Sequence, residues 1–245
     1  MSGRRDPSAF GAPRLHLRVT DSTNERAREL AEAGAPSGAV VTAGAQTSGR
    51  GRRGRTWAAP PDKALLLSAL LRPLSARHSL LPLAAPVAVC EAIESLAPVG
   101  CRIKWPNDVW IDERKVAGVL IEARPPEWAV IGVGVNVAIA EDEFPSDLRW
   151  PATSVGHGVE VEALVEALCG RLGYWVDAPE REVLAVFAER DALHGRTVTW
   201  EDGGGGGSGV ARGVDERGNL LVERHDGTRA SLGSGEVQLG LTERD

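Results

Sequence analysis

The chain has 245 residues and a formal net charge of -6, with 42% hydrophobic and 25% charged residues. These values are typical of a soluble globular protein with one substantial core, and the acidic balance argues against a general nucleic-acid binder. The start, MSGRRDPSAFGAPR, has no apolar run behind its charges, which argues against a secretory signal. Cys90, Cys101 and Cys169 lack metal-ligand spacing, so we expect buried reduced thiols and a cytoplasmic protein.

The first part of the chain predicts a mixed α+β domain. Alternating Leu15, Leu17 and Val19 indicate a strand, and 22-STNE-25 is a capping-box pattern before a helix that ends at Gly34. Further strands are expected at 39–45, 64–71, 102–105, 109–111, 115–122 and 128–137. Further helices are expected at 79–96, 159–175 and 180–193. The helix at 79–96 is too short to span a bilayer comfortably, so we expect it to be buried.

The last 50 residues have a different sequence pattern from the rest of the chain. The strand-sized pieces TVTW, GVARGV, NLLVE and TRASL are separated by turn signals, which predicts a small β-barrel. The glycine run at 203–207 is interpreted as a flexible hairpin loop. The chain is therefore divided into a disordered tail at 1–12, a mixed α+β domain of the size of a catalytic domain at 13–194 and a small barrel at 195–245.

The segment 49-GRGRRGRTW-57 concentrates four arginines on this acidic chain. It matches G-x-G-x-x-G, but Pro60 and Pro61 follow where a dinucleotide-binding fold needs a helix. A single-strand nucleic-acid site has too small a basic footprint, and a solvated loop does not explain Trp57. A flexible anion clamp, mobile when empty, explains more. Its glycines allow close backbone approach, its arginines bind phosphate or carboxylate, and Trp57 stacks on a purine.

Two further segments place polar groups beside predicted strands and helices. In 104-KWPND-108, Pro106 and Asn107 suit a tight turn, whereas Lys104 follows buried-looking residues where a charge needs a partner. In 22-STN-24, a Ser22 cap would leave Thr23 and Asn24 as free polar groups at a helix N-terminus. Such a site suits anions or ureido-type ligands.

Glycines interrupt two predicted apolar strands, 117-AGVLIE-122 and 131-IGVGVNV-137. Gly132, Gly134 and Asn136 fall on one face of the second strand, because side chains alternate along a strand. A glycine inside a strand indicates close approach of another group. A flat ligand and a closely packed helix are both compatible with this pattern.

Taken together, STN, QTSGRGRRGRTW, KWPND, AGVLIE and GVGVNV resemble biotin protein ligase in order and spacing across 15–137. The resemblance implies a class II synthetase-like catalytic domain, with helices on a mixed sheet, followed by an SH3-like barrel. It also implies an ATP-dependent ligase that forms biotinyl-5′-AMP and pyrophosphate. The biotinyl group then passes to one lysine of a biotin carboxyl carrier domain, as in acyl-CoA carboxylases.

Matching the family's motifs residue by residue implies the following site. The implied biotin-binding residues are Ser22, Thr23, Gln46, Gly49, Arg50, Lys104, Gly118 and Gly132. The implied adenylate-binding residues are Arg52, Arg53, Arg55, Trp57, Lys104, Asn107 and Asn136. Catalysis is assigned to Lys104, Arg52 and Arg50, with Lys104 short of partners until the ligands bind. Mg²⁺ is implied with ATP, without assigned metal ligands.

The chain also departs from some relatives. Only about ten residues precede the predicted catalytic domain, so we expect a monofunctional ligase without the DNA-binding domain of biotin-responsive repressors. Gly240 stands where many relatives have an arginine, which puts a nucleotide contact from the tail in doubt. We expect a monomer or weak homodimer. A lipoate or octanoate ligase and an inactive biotin-binding module are the alternatives.

Overall fold

The computed structural model describes residues 10–146, 148, 150–202, 205–233 and 236–239. Several predictions concern residues outside this set. Most of the predicted disordered tail, the first two glycines of the 203–207 run, and Gly240 are outside the described residues.

The first domain is built on a seven-stranded mixed sheet, as the sequence predicted. Its strands follow the spatial order β1-β2-β3-β7-β6-β5-β4. Only the β1–β2 pair is parallel among these neighbours; the other pairs are antiparallel. The strands are β1 (Arg14–Thr20), β2 (Val40–Gln46), β3 (Ala64–Leu71), β4 (Arg102–Lys104), β5 (Asp108–Ile111), β6 (Arg114–Arg124) and β7 (Trp128–Asn136).

Helices cover the sheet unequally on its two faces. The four helices are α1 (Thr23–Glu32), α2 (Leu81–Glu94), α3 (Val161–Trp175) and α4 (Glu180–Arg190). Apolar residues surround α2 on nearly all sides, so it lies buried between the sheet, α3 and α4 in the main core. Among the α-helices that the structure describes, α1 packs on the opposite face, where it contacts β2, β3 and β7. This second face is therefore left open beyond the helix, and the candidate site lies there.

The second domain is one antiparallel sheet of five strands in the order β11-β10-β9-β8-β12. Its strands are β8 (Thr197–Asp202), β9 (Gly205–Val214), β10 (Leu220–Arg224), β11 (Arg229–Leu232) and β12 (Glu236–Leu239). The first four were predicted from the sequence, and β12 was not. Closure of this sheet into an SH3-like barrel stays a prediction.

The glycine run is not wholly a loop, contrary to the expectation. Its last three residues, 205–207, belong to β9 and pair with β8. A Cβ at Gly207 would collide with the ring of Trp200 on the facing strand. Glycine is therefore required there because the buried indole lies directly against the backbone.

A tight turn of the second domain docks on the first. The carbonyl of Gly218 accepts a hydrogen bond from Trp105 Nε1 at 3.0 Å. Gly218 has φ +80°, and a Cβ there would lie 3.3 Å from side-chain atoms of Leu80 and Leu83. The turn needs glycine both for its backbone conformation and for its close approach to α2.

The three cysteines are buried free thiols, as predicted. Burial raises the pKa of Cys169 to about 11, so this thiol stays protonated at neutral pH. In the part of the chain that the structure describes, no helix is long and apolar enough to cross a bilayer.

Candidate active site

The floor of the site is a row of residues that crosses four strands on the open face of the large sheet. Leu66 pairs with Gly134, Gly134 with Gly118, and Gly118 with Asp108. Beyond the floor, Asp108 pairs with Lys104 on β4. Directly paired residues of antiparallel strands point their side chains to the same face. The two central positions of this row have no side chain, which leaves a depression in the middle of the floor.

The indole of Trp57 fills that depression. A Cβ at Gly134 would lie 2.5 Å from Trp57 Cε2, and one at Gly118 would lie 3.2 Å from Trp57 Cζ3. In this structure the group that lies on Gly134 and Gly118 is therefore a side chain of the protein itself. Within the described residues Trp57 Nε1 has no hydrogen-bond partner, although its surroundings exclude solvent. The ring is thus held by packing against the glycines.

One end of the site is polar and uncharged. Thr23 donates its backbone N–H to Gln46 Oε1 at 2.7 Å, and the Thr23 hydroxyl lies 3.2 Å from the same oxygen. Buried Ser68 lies 2.8 Å from Thr23 Oγ1 and 2.6 Å from Asn24 Oδ1. A Cβ at Gly132 would collide with the Asn24 amide. Thr23 and Asn24 are therefore partnered, and the prediction that they are free polar groups is wrong.

The predicted capping box at the start of α1 is also wrong. Ser22 is the N-cap residue, but it makes no side-chain cap hydrogen bond. The Glu25 carboxylate instead pairs with Arg28, and its other oxygen lies 3.1 Å from Arg50. Arg28 first, and then Arg50, hold the pKa of Glu25 below its ordinary value. Glu25 therefore pairs with Arg28 of the helix and Arg50 of the loop instead of accepting the capping-box hydrogen bond.

The arginine segment folds back on itself as a narrow loop. Arg50 and Thr56 form an antiparallel bridge, and Gly51 N–H donates to the Arg55 carbonyl at 2.7 Å. Gly49 lies so close to the Trp57 carbonyl that a Cβ would collide with it. Arg53 has φ +57° at the exposed tip. Gly49 therefore shapes the loop, and Arg53 is exposed at its tip.

Two other loop arginines have specific contacts. Arg52 Nη1 donates to Asn107 Oδ1 at 3.3 Å, and Asn107 Nδ2 donates to the Val119 carbonyl at 2.8 Å. Arg55 Nε donates to the Arg52 carbonyl at 3.3 Å. The Asn107 side chain consequently links the arginine loop to the turn after β4 and to β6.

A lysine that sequence reasoning did not select, Lys115, extends into the site. Its Nζ lies 2.7 Å from Asp108 Oδ1 and 5.6 Å from the ring centroid of Trp57. The β5–β6 register shifts here, because Val109 pairs with Ala117 while Trp110 pairs with Lys115. This irregularity adds one residue to β6 and turns Lys115 onto the cavity face. Simple alternation from Gly118 assigns Lys115 to the opposite face.

Lys104 occupies a different environment from the one expected. It is only 4% exposed, and its Nζ lies 5.9 Å from the ring centroid of Trp110 and 5.3 Å from that of Trp150. Such distances are typical of cation–π contacts. The prediction that Lys104 is short of partners before ligands bind is therefore wrong. Its role in catalysis stays a prediction.

A cavity of about 490 Å³ lies on this floor. It brings together most of the predicted site residues: Ser22, Thr23, Gln46, Arg50, Arg52, Arg55, Trp57, Asn107, Gly118, Gly132 and Asn136. Gly49, Arg53 and Lys104 lie outside its lining. Lining residues that the sequence analysis did not assign include Asn24, Asp108, Lys115, Gly134, Phe144, Leu148 and Trp150. Strand alternation had placed Gly134 on one face with Gly132 and Asn136 without assigning it a role, whereas Phe144, Leu148 and Trp150 follow no periodic pattern.

Asn136 stabilises one side of the cavity. It is 5% exposed and donates from Nδ2 to the Thr153 carbonyl at 3.0 Å. The segment before Thr153 carries the apolar cavity residues Phe144 and Trp150. Lys63 anchors the same segment through Glu143, at 2.7 Å to Oε2. The Asn136 amide therefore joins the end of β7 to the chain that covers the cavity.

The chain was compared with known proteins. It matches the model of the Biotin/lipoate A/B protein ligase family over residues 16–136 and that of the Biotin protein ligase C terminal domain over 193–240. It is 34% identical to the biotin–[acetyl-CoA-carboxylase] ligase of Paracoccus denitrificans, over 91% of this chain and 99% of that protein. It is 31% identical to the bifunctional ligase/repressor BirA of Bacillus subtilis, over 94% of this chain and 75% of that protein.

Solved structures resemble the whole chain. Biotin protein ligase from Aquifex aeolicus, in complex with biotin and ATP, has a TM-score of 0.79 and 28% sequence identity. The similarity covers 94% of this chain and 100% of that one. Both domains are therefore included in the likeness.

The contact between Trp57 and the glycine floor yields a first prediction. Gly134→Ala places a methyl group inside the indole, and we expect a loss of about 1–3 kcal/mol in unfolding free energy. Gly100→Ala is the matched control, because a Cβ at Gly100 meets no atom within 4 Å. Denaturant unfolding measures both variants. In a Trp57→Ala background the cost of Gly134→Ala should largely disappear; an equal cost in both backgrounds contradicts this account.

Proposed function

Because the chain belongs to the biotin protein ligase family and is a ligase, we propose that it adenylates biotin with ATP and transfers the biotinyl group to a carrier lysine. The acceptor is a lysine of a biotin carboxyl carrier domain. The relatives' names and the ligands of the Aquifex aeolicus complex support this proposal. The residue roles given below are parts of the same proposal.

The observation that carries the proposal is that one cavity has two chemically different ends. Thr23, Asn24 and Gln46 form an uncharged polar end, which suits a cyclic urea with its carbonyl oxygen and two N–H groups. At the other end, the positive charges of Arg52 and Lys115 exceed the negative charge of Asp108, which pairs with Lys115, and this suits phosphate and carboxylate. A lipoate or octanoate ring or tail has no hydrogen-bonding groups for the polar end. Biotin is therefore preferred over these two acids.

The first chemical step brings two anions together. A carboxylate oxygen of biotin attacks the α-phosphorus of ATP, the bond to the bridging β-phosphate oxygen breaks, and pyrophosphate leaves. Arg52 and Lys115 offset the repulsion between the anions and stabilise charge on the phosphorus oxygens. The arginine loop limits water access to the mixed anhydride. Trp57 stacks on the adenine.

The second step uses the amine of the acceptor. The lysine nitrogen, after losing its proton, attacks the acyl carbon of biotinyl-5′-AMP. The bond from the acyl carbon to the phosphate oxygen breaks, and AMP leaves. The same cations then stabilise the departing phosphate, so the cationic end serves both steps.

Magnesium enters the proposal as a companion of ATP. Mg²⁺ is usually held by one or two carboxylates together with substrate phosphates. Asp108 lines the cavity and supplies one carboxylate, while no group of three His, Cys, Asp or Glu residues able to hold a metal occurs among the described residues. These residues fit Mg²⁺ brought in by the nucleotide, where it neutralises phosphate charge.

A cytoplasmic location and a monomeric or weakly dimeric state stay predictions. We propose no repressor role for the protein.

The similarity to the Bacillus subtilis protein covers 75% of that ligase/repressor. We predict no sequence-specific binding to a biotin operon promoter at moderate salt. Fluorescence anisotropy with promoter and scrambled duplexes measures this, and tighter binding to the promoter duplex contradicts the prediction.

The two candidate lysines give opposing predictions for adenylate formation. Lys115→Ala should lower biotin-dependent ATP–pyrophosphate exchange about 100-fold, because a cation beside the reacting phosphate is removed. Lys104→Ala should retain much more exchange, since Lys104 lies outside the cavity lining. Thermal unfolding checks that both variants fold. If Lys104→Ala abolishes exchange while Lys115→Ala preserves it, the earlier assignment of catalysis to Lys104 is correct.

Arg52 is expected to retain the adenylate. Arg52→Gly should release biotinyl-5′-AMP, which then labels exposed lysines on any protein present. Mass spectrometry of a mixture of carrier domain and serum albumin measures the distribution of biotin. Arg53→Gly is the matched control, because Arg53 lies at the loop tip outside the cavity lining. Labelling confined to the carrier lysine in Arg52→Gly contradicts this role.

A further inference from the structure

We infer that Glu122, a residue outside the cavity, positions Asn24 and thereby sets the hydrogen-bonding pattern that the polar end offers to a cyclic urea. This inference deepens the proposed function and rests on it. Glu122 lies on β6 opposite Val130, two residues beyond Leu120 and on the same face. Leu120 and Asn24 line the cavity, whereas Glu122 lies just beyond the lining. It is therefore a positioning residue.

Glu122 uses a different oxygen for each of two cavity residues. Its Oε2 accepts a hydrogen bond from Asn24 Nδ2 at 2.8 Å, and its Oε1 lies 3.6 Å from Arg50 Nη1. The side chains of Arg50 and Glu122 are 48% and 36% exposed, and ion pairs this exposed contribute little. Asn24 is only 4% exposed. The buried, charge-assisted hydrogen bond to Asn24 is thus the more important of the two contacts.

An ionised carboxylate can only accept hydrogen bonds, and this fixes which group donates and which accepts in the network. Glu122 cannot donate, so the Asn24 amide must turn its Nδ2 end toward β6 and its Oδ1 end toward Ser68. Ser68 then donates its single proton to Asn24. The Thr23 hydroxyl consequently donates, either to Ser68 or to Gln46 Oε1.

The orientation of the Gln46 amide is set separately, by the Thr23 backbone N–H. Its Oε1 already accepts the Thr23 backbone N–H at 2.7 Å, which leaves Nε2 as the end that can donate to a ligand. A cyclic urea needs donors and acceptors at fixed places. Removal of the Glu122 carboxylate would let Asn24 turn over and exchange its donor and acceptor ends. The donors and acceptors of the cavity would then no longer match those of the urea.

The test compares the KM for biotin, which reports on the polar end of the cavity, with the KM for ATP, which reports on the cationic end. In ATP–pyrophosphate exchange, Glu122→Ala should raise the KM for biotin about tenfold, because the buried Asn24 Nδ2 loses its charged acceptor at 2.8 Å and keeps the long contact with the Leu120 carbonyl at 3.5 Å. The KM for ATP should change less than about twofold, since Trp57 and Lys115 occupy the neighbouring row of the floor. Glu122→Gln keeps an acceptor for Asn24 and should recover most of the loss.

Glu127→Ala is the matched control. Glu127 is a half-exposed carboxylate in the turn that joins β6 to β7, and it pairs with Arg124 at 2.9 Å. It should leave both KM values unchanged. An unchanged KM for biotin in Glu122→Ala, or an equal rise in both KM values, would overturn the inference.

A ligand-free measurement distinguishes failure of the inference from failure of the proposed function. If the wild-type enzyme shows no biotin-dependent exchange, the proposed function fails. The side-chain NH₂ signals of Asn24 in ¹⁵N NMR spectra then test the network alone. They should shift in Glu122→Ala and stay in place in Glu127→Ala; unshifted Asn24 signals in Glu122→Ala overturn the inference whatever the exchange assay gives.

Discussion

Glycines at the centre of the large sheet are the constraint on which the rest of the site depends. Gly134 and Gly118 let the Trp57 indole lie directly on β7 and β6, and Gly132 does the same for the amide of Asn24. Glycine weakens the interior of a strand, so these positions cost stability. The neighbouring Val133, Val135 and Val119 on the other face keep the strands in the core. The stability that the glycines cost on one face of the sheet is therefore offset by the dense packing of the valines on the other face.

This constraint also explains how an acidic chain can hold a strongly basic segment. The arginine loop ends at Trp57, so the packing of one indole against the glycines fixes the end of the loop over the cavity. Glu25 and Asn107 then hold the guanidinium groups of Arg50 and Arg52. In the proposed reaction the positive charge is needed only where phosphate and carboxylate meet, and the remainder of the surface can be acidic.

The sequence predicted most elements because their signals are local. The apolar run 64–71 became β3 with unchanged limits, and the glycines of β7 share one face, as alternation requires. Lys115 was missed because an irregularity in β6 reverses the alternation on which such predictions depend. Asn24 was noted only as a free polar group. Its partners Ser68 and Glu122 are 44 and 98 residues away in sequence, and no local pattern connects them.

The central claim is that one cavity joins a urea-binding end to an adenylating end. The most direct measurement is ATP–pyrophosphate exchange by the wild-type protein with biotin, lipoate and octanoate offered separately, without any carrier protein. We expect exchange with biotin alone. Exchange with lipoate or octanoate instead would contradict the assignment of the polar end, and no exchange with any of the three acids would contradict adenylation itself.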